Sequence, residues 1–192
     1  TSTSTYSPIT NAENVTYKYN SNNLLESIST ESTTYSFTYD IFGNPTSIDV
    51  GDETVSSYSY NDRNGKLNRV TYSNGFTVEY FYNDIELLTG IRYTDDAGTR
   101  QMAYEYEYTA NGQVHKFIDN INGRSTVYKY DNNNRLITFI EYDNDDLYHD
   151  FSSNIFYDDK GLLSSVYYNV NHLNGLTVDC SRWFYHYFYD DS

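Results

Sequence analysis

One unit recurs along this chain and constrains the fold more than any other feature. Its clearest copy is residues 128–139, YKYDNNNRLITF. Tyr128 and Tyr130 are two residues apart and therefore share one face of an extended chain, while Lys129 points the other way. The residues from Asp131 to Asn134 are of types that hydrogen-bond their own backbone and tolerate left-handed conformations. The unit therefore predicts a strand, a tight turn and a second strand.

Seven copies of this unit follow one another, and the second aromatic residue recurs every 20 to 27 residues, at Tyr19, Tyr39, Tyr60, Tyr82, Tyr108, Tyr130 and Tyr157. A period of this length is typical of repeat architectures. Seven units of two strands predict about fourteen strands joined as successive hairpins. Residues 187–190, YFYD, repeat the first half of an eighth unit. We therefore expect the chain to be part of a longer protein.

The composition supports an all-β fold. The chain has 24 Tyr and 10 Phe but a hydrophobic fraction of 38%, and it has two prolines. Aromatic residues favour half-buried, pleated surfaces, and scarce prolines leave the strands free to pair. We predict an antiparallel sheet of successive hairpins over residues 15–192, curved or spiralling into an open shell or a barrel-like form. Residues 1–14 are rich in Ser and Thr and are predicted to be a polar linker or edge.

The repeat also predicts which face of the sheet packs. Seven residues stand between the paired aromatic positions: Lys18, Thr38, Ser59, Phe81, Glu107, Lys129 and Phe156. Five of them are polar, and the exceptions are the two phenylalanines. We therefore expect the Tyr face to pack and the opposite face to meet water. Phe81 and Phe156 are expected to be outward-facing rings, and they are the candidates for stacking on a sugar, although ring packing within the sheet is the favoured role of the aromatic residues.

The second strand of each unit contains an irregularity. Two apolar positions stand three residues apart, as in Leu136 and Phe139, and regular strand geometry would place them on opposite faces. Either the first residue closes the turn, or a β-bulge re-aims the strand. A second expectation concerns residues 169–180, which are predicted to form a long connection between units.

The predicted structural site consists of the motif residues, which are Tyr17, Tyr19, Tyr39, Asp40, Gly43, Tyr58, Tyr60, Gly65, Tyr80, Tyr82, Tyr106, Tyr108, Gly112, Tyr128, Tyr130, Asp131, Arg135, Leu136, Tyr157, Asp158 and Gly161.

These units resemble the YD repeats of RHS proteins. Residues 128–131, YKYD, with Arg135 and Leu136, and Tyr39-Asp40 with Gly43 match that pattern best. The chain departs from it at Asn20, Asn61, Asn83 and Thr109, which stand where the pattern has Asp, and among the repeats Arg135 is the one arginine at its position. A second resemblance is to small exported Bacteroidetes proteins with YD-like hairpins and a porin-like barrel.

The RHS resemblance implies long β-sheets that spiral into a hollow shell. Such shells enclose toxic C-terminal domains of bacterial secreted or surface proteins, and related repeats occur in animal adhesion receptors. The self-cleaving core motif of the family has no counterpart in this sequence. No catalytic residue is therefore carried over.

Charge and cysteine content exclude several classes of function. The net charge is −15, and the 12 Lys and Arg residues are scattered, which argues against a nucleic-acid surface and against anionic membranes. Cys180 is the single cysteine, so the chain has no intrachain disulfide and no Cys-based metal site. No run of 18 apolar residues predicts a membrane-spanning helix.

The densest polar cluster lies at residues 143–150. Asp143, Asp145, Asp146 and Asp150 could hold Ca²⁺, but the glycine and the terminal glutamate of an EF-hand loop are missing. A solvated acidic loop is the favoured interpretation. The residues 183–185, WFY, are a further aromatic candidate that is better explained as a strand.

We therefore expect a non-enzymatic structural segment of a bacterial secreted or cell-surface protein that forms part of a β-shell and encloses or presents another domain. The alternative is a glycan- or protein-binding surface module. The expected partners are the rest of a longer parent chain or an enclosed toxin-like domain. Exposed edge strands also predict edge-to-edge association between copies. No cofactor and no catalytic residue are expected.

Overall fold

The computed structural model describes the backbone of residues 14–143, 149–174 and 177–187, with the side chains of these residues except 149–150, 171–182 and 184. Within these ranges the regular secondary structure is entirely β. The strands are β1 (Thr16–Tyr19), β2 (Leu25–Ser29), β3 (Thr34–Tyr39), β4 (Pro45–Val50), β5 (Glu53–Tyr60), β6 (Leu67–Tyr72), β7 (Thr77–Tyr82), β8 (Leu88–Thr94), β9 (Arg100–Tyr108), β10 (Val114–Asp119), β11 (Arg124–Tyr130), β12 (Leu136–Asp143), β13 (His149–Tyr157), β14 (Leu163–Asn174) and β15 (Thr177–His186).

The strands hydrogen-bond in chain order from β1 to β15. Each repeat contributes one hairpin, from β1–β2 to β13–β14, and β15 follows as the first strand of an eighth unit. The pairs whose register is described, from β1 to β7 and from β9 to β15, are antiparallel. The predicted all-β fold of successive antiparallel hairpins is therefore confirmed.

The chain divides into two compact units. The first holds the residues up to Glu79 and the turn Thr94–Thr99, and so contains β1 to β6 and the first half of β7. The second holds Tyr80–Tyr93 and the residues from Arg100 onwards, and so contains the rest of β7, most of β8, and β9 to β15.

The hairpin turns depend on one residue with a left-handed backbone. Gly43 has a φ of +88°, and its counterpart in the β11–β12 turn, Asn134, has a φ of +63°. Glycine has no Cβ to clash in this region, and asparagine tolerates it better than most residues. Glu86 holds the same position in the β7–β8 turn with a φ of +65°. This residue type is disfavoured there, so neighbouring contacts must hold the turn.

A β-bulge resolves the irregular spacing of the second strand. In the hairpin of β11 and β12, Tyr130 pairs with Leu136 and Lys129 pairs with Thr138, so Ile137 is an extra residue. Leu136 and Phe139 consequently share the Tyr face although they are three residues apart. The same β-bulge occurs at the corresponding place in all six repeats whose hairpin register is described.

The Tyr face carries the core, in which rings cover small residues. In the second unit Ser153 is fully buried (0% exposed), and it pairs with Phe139 on one side and Tyr168 on the other. The ring of Phe151 lies 5.5 Å from that of Phe139 and 5.4 Å from that of Tyr168, between centroids. In the first unit the buried Val70 pairs with Tyr58 and Val78. The aromatic residues therefore supply packing area that the few aliphatic residues do not.

The opposite face is mostly polar, as expected. Lys129, Glu107 and Ser59 are exposed, while the flanking tyrosines of their strands are half-buried. Phe81 alternates with Tyr80 and Tyr82 and so lies on this face, but it is half-buried, and the Arg92 guanidinium lies 4.9 Å above its ring.

Residues 169–180 also differ from the expected long connection. Strands β14 and β15 continue their pairing from Asn169↔Arg182 to Asn174↔Thr177, which makes this stretch the longest hairpin of the second unit. The residues 183–185 lie in β15, in agreement with their interpretation as a strand.

Candidate functional site

The motif residues form a repeated brace between neighbouring hairpins. In the first unit, the Tyr39 hydroxyl donates to the Leu25 carbonyl at 2.8 Å, and the Tyr60 hydroxyl donates to the Pro45 carbonyl at 2.8 Å. In the second unit the donor–acceptor pairs are Tyr108 with Leu88 at 2.5 Å, Tyr130 with Val114 at 2.8 Å, and Tyr157 with Leu136 at 2.9 Å. The second tyrosine of a motif thus binds the first residue of the strand before it.

The brace gives a hydrogen-bond donor to a backbone carbonyl that does not pair with the next strand of the sheet. Pairing between β10 and β11 begins at Lys116↔Val127, so Val114 lies beyond the ladder that joins the two hairpins. The Tyr130 hydroxyl supplies the donor that a further ladder bond would have given. Pro45 fits this position because it needs only its carbonyl there and has no N–H to place.

Burial favours the neutral form of three of these hydroxyls, those of Tyr60, Tyr108 and Tyr130. Burial raises the pKa of Tyr108 above its ordinary value, and burial followed by the neighbouring Tyr128 does the same for Tyr130. In the first unit, burial is also the largest cause of the raised pKa of Tyr60, ahead of the charge of Asp40. A neutral phenol can donate to a carbonyl, whereas a phenolate cannot, so the raised pKa values favour the brace.

The residue after the second aromatic position caps the turn. Asp131 Oδ1 accepts hydrogen bonds from the backbone N–H groups of Asn133 and Arg135, both at 2.9 Å. Asp40 makes the same two bonds, to Phe42 and Asn44, again at 2.9 Å. These hydrogen bonds lower the pKa of both carboxyl groups, with the Arg135 N–H as the largest cause for Asp131 and the Asn44 side chain as the largest cause for Asp40.

The departures from the YD pattern keep this cap. Asn83 Oδ1 accepts from the backbone N–H groups of residues 85 and 87, and Asn20 Oδ1 accepts from those of residues 22 and 24. Thr109 Oγ1 accepts one bond, from the Gln113 N–H at 3.2 Å. The position therefore requires a short side chain with an acceptor oxygen and does not require a charge.

Arg135 connects its own turn to the next repeat. Its Nη2 lies 2.7 Å from Asp131 Oδ2, and its guanidinium lies 4.4 Å above the ring of Tyr157. A Cβ built on Gly161 would lie 3.3 Å from Arg135 Nη1. Leu87 stands in the place of Arg135 two repeats earlier, where its Cδ1 lies 3.6 Å from a Cβ built on Gly112. A side chain would therefore be crowded at Gly161, whereas at Gly112 it would make an ordinary van der Waals contact.

Replacement of Asp131 separates the cap from the charge. We expect Asp131→Ala to lower the urea midpoint of unfolding, because two backbone N–H groups lose their acceptor. Asp131→Asn should leave the midpoint close to that of the wild type, since Asn83 makes the equivalent bonds. Equal losses in the two variants would show that the ion pair with Arg135 matters more than the cap.

Two open grooves lie on the second unit. The turn groove, of about 430 Å³, lies beside the turn of residues 131–135 and is lined in part by Gln113, His115 and Asn134. Two side-chain amides of this groove hydrogen-bond to the turn: Gln113 Nε2 donates to the Asn134 carbonyl at 2.8 Å, and Asn111 Nδ2 donates to Asn134 Oδ1 at 2.9 Å. These bonds tie one turn to the next, which gives the turn groove a structural explanation.

The aromatic groove, of about 490 Å³, lies on β13 and β14 and is lined by Asn154, Phe156, Ser164, Ser165, Tyr167 and Asn169. Phe156 was singled out from the sequence, and the structure places it here as an exposed ring. Sequence reasoning missed Tyr167. Its signal was position, because Tyr167 stands one residue before Tyr168 of the Tyr face and therefore lies on the opposite face.

The calcium candidate stays a prediction. Residues 144–148 lie outside the described residues, as do the side chains of His149 and Asp150, so Asp143 alone of the four proposed ligands has a described side chain. In the described part of the chain no three His, Cys, Asp or Glu side chains group as a metal site would require.

The described residues contain no helix that is long and apolar enough to cross a membrane.

Comparison with known sequences gave no match, either to a protein-family model or to a curated protein. Comparison with solved structures gave matches of fold. The chain superposes on the TcdB2-TccC3-Cdc42 structure with a TM-score of 0.63 at 14% sequence identity, over 88% of this chain and 10% of that chain. It superposes on a chain of the Photorhabdus luminescens Tc holotoxin pore with a TM-score of 0.64 at 15% identity, over 81% of this chain and 9% of that chain.

A porin-like protein from Bacteroides uniformis aligns over 92% of this chain and 91% of its own, with 14% identity and a TM-score of 0.28. That score is too low to support a conclusion. The chain spans about a tenth of the length of the toxin chains that it matches. At these identities the likeness is one of fold, so the hairpin sheet of this protein has the architecture of a segment of the TcdB2-TccC3 chains.

Proposed function

We propose that this chain is a non-enzymatic wall segment of a bacterial secreted or cell-surface protein, and that the wall encloses or presents another domain. The observation that carries the proposal is the brace of tyrosine hydroxyl and strand carbonyl, which recurs in both units, for example at Tyr39 and Tyr130. A contact that joins a hairpin to the one before it at two places in the first unit and three in the second suits a sheet extended by adding hairpins.

The chemistry of the brace favours a passive role. Each hydroxyl is used to satisfy a carbonyl, and each Asp131-type carboxylate is used to cap a turn. Their pKa values move away from neutrality, upward for Tyr130 and downward for Asp131, which is the reverse of what an acid–base catalyst needs. The fold likeness to TcdB2-TccC3 chains supports a shell segment as the kind of wall.

Exposed rings on β1 and β15 support contact of the wall with other strands. On β1, Tyr17 and Tyr19 are each 58% exposed, and on β15, Trp183 is 59% and Tyr185 is 52% exposed. Tyr128 and Tyr130, which correspond to Tyr17 and Tyr19 on an inner strand, are half-buried. Edge-to-edge pairing between copies is an alternative way to cover the same rings.

Electron cryomicroscopy of the protein at its natural length, purified from its source, tests the wall directly. We expect hairpins to continue next to β1 or β15, with tyrosine hydroxyls bonded to carbonyls of the preceding repeat, and density for another domain against one face of the sheet. Protease treatment of the same sample should spare that domain until the sheet is denatured. Open edges at both β1 and β15, or equal digestion rates with the sheet intact and denatured, would contradict the proposal.

A surface-binding module is the second candidate function. The specific observation in its favour is the exposed ring of Phe156, which the packing of the Tyr face does not use. Wall and binding roles are compatible, because they use opposite faces of the sheet.

A further inference from the structure

The polar face of the sheet carries a pair of exposed rings on β13 and β14. Phe156 stands at the middle position of its motif, where Lys129 and Glu107 stand in earlier repeats. It pairs with Ser165, and Tyr167 lies two residues further along β14 on the same face. Phe156 is 49% exposed and Tyr167 is 40% exposed. At the same motif position Lys129 and Glu107 are polar and exposed, so the exposure of the two rings needs an explanation other than core packing.

The two rings are arranged as a corner. Their centroids are 5.4 Å apart and their planes meet at 81°. Edge-to-face packing holds each ring in place while leaving part of each surface open. Two small residues line the groove beside them, the buried Ser165 and its chain neighbour Ser164. The result is a preformed groove of about 490 Å³, within the usual range for small-ligand sites of about 300–1,000 Å³.

The described lining of the aromatic groove is uncharged, although 20% of the chain is Asp, Glu, Lys or Arg. Its polar groups are the amides of Asn154 and Asn169 and the hydroxyls of Ser164, Ser165 and Tyr167. Asn169 Nδ2 donates to Ser152 Oγ at 3.4 Å, and Asn154 Oδ1 accepts from Thr138 Oγ1 at 3.4 Å. Among the described residues, Asn169 Oδ1 and Asn154 Nδ2 make no hydrogen bond, so the rim offers one acceptor and one donor.

These features exclude most ligand classes. Nucleic acids and phosphorylated ligands need cationic partners, which the described lining does not contain, and a net charge of −15 opposes such anionic ligands. A charged peptide likewise finds no complementary group among the described lining residues. A folded protein partner needs about 800 Å² on each side, far more than two rings and four small polar residues provide. What remains is an uncharged ligand with an apolar face and hydroxyl groups at its edge.

We propose that the aromatic groove binds an uncharged oligosaccharide. The C–H face of a pyranose ring stacks on Phe156 or Tyr167, because the negative face of an aromatic ring attracts weakly positive C–H groups. The sugar hydroxyls bond to the amides of Asn154 and Asn169. The assignment rests on this groove alone, so it stands or falls independently of the wall function.

Isothermal titration calorimetry of the whole chain tests the proposal, with cellohexaose, maltohexaose, xylohexaose and chitohexaose as probes. We expect at least one probe to bind with a dissociation constant of about 1 mM or below. Phe156→Ala and Tyr167→Ala should each weaken that binding at least tenfold. Phe156→Trp should retain it, since the larger ring still offers a stacking face.

Phe42→Ala is the matched control, because Phe42 is 82% exposed in a turn of the first unit. This variant should bind like the wild type. Circular dichroism should show that all variants keep the β-sheet spectrum, and the Phe156→Trp variant keeps the test valid if an alanine variant unfolds.

Four results would overturn the assignment. The first is the absence of heat from all four probes with the wild-type chain. The second is binding that Phe156→Ala and Tyr167→Ala leave unchanged. The third is binding to a glycoprotein that survives enzymatic removal of its glycans, which would indicate a protein partner. Binding abolished by 1 M NaCl would also contradict an uncharged ligand, since screening weakens ionic contacts.

Discussion

Phe117→Ala is expected to lower the free energy of unfolding by about 3 kcal/mol, because truncation of a packed Phe removes a large apolar area and leaves a cavity. Phe117 pairs with Tyr106 on β9, and its ring lies 5.2 Å from that of Tyr106 and 5.9 Å from that of Tyr104, between centroids. It is therefore central to the ring packing of the Tyr face in the second unit. Urea unfolding followed by tyrosine fluorescence measures the change.

Phe156→Ala is the matched control for Phe117→Ala. It removes the same side chain from the opposite face, where the ring is 49% exposed and contacts Tyr167. We expect a loss of about 1 kcal/mol, since roughly half of the area is already in water. If the two variants lost equal stability, the Tyr face would not be the core of the sheet.

Removal of three hydroxyls from the brace is the second large effect. The triple variant Tyr108→Phe, Tyr130→Phe and Tyr157→Phe keeps every ring but leaves the carbonyls of Leu88, Val114 and Leu136 without these donors. A lost hydrogen bond of this kind costs about 1 kcal/mol, so the sum should be about 3 kcal/mol if the sites are independent. Urea unfolding of the triple variant measures it.

Tyr72→Phe is the control for the hydroxyl series. Tyr72 is 41% exposed and contacts Phe76 through its ring, so loss of its hydroxyl should change the stability by less than about 0.5 kcal/mol. A triple variant as stable as Tyr72→Phe would mean that water replaces the tyrosine hydroxyls at no cost. The brace would then be a consequence of the fold and would not contribute to its stability.

Much of the fold could be predicted from the sequence because its determinants are local. The alternation of Tyr128, Lys129 and Tyr130 requires an extended chain with two different faces, and Asp131 with Asn134 requires a turn. Both effects act within a few residues. The all-β hairpin order therefore followed from the repeat, as the pairing of β1 to β15 in chain order confirms.

The spacing of Leu136 and Phe139 could be noticed but not interpreted from the sequence. A turn-closing residue and a bulge are both compatible with three-residue spacing, and the register of β11 with β12 decides in favour of the bulge. Phe81 and Phe156 illustrate the same limit. Both occupy the middle position of a motif, yet Arg92 covers Phe81 whereas Phe156 stays exposed beside Tyr167. The difference depends on residues of the neighbouring strand.

The sequence by itself thus determined the strands and turns of the repeats, the order of the hairpins and the packing role of the Tyr face, because alternation and turn chemistry depend on near neighbours along the chain. The tertiary structure alone decided which atoms meet between hairpins. The Tyr130 hydroxyl and the Val114 carbonyl are 16 residues apart. No residue type in the sequence indicates which backbone carbonyl stays unpaired between two strands. The brace and the aromatic groove depend on register, which becomes visible only when the strands are paired.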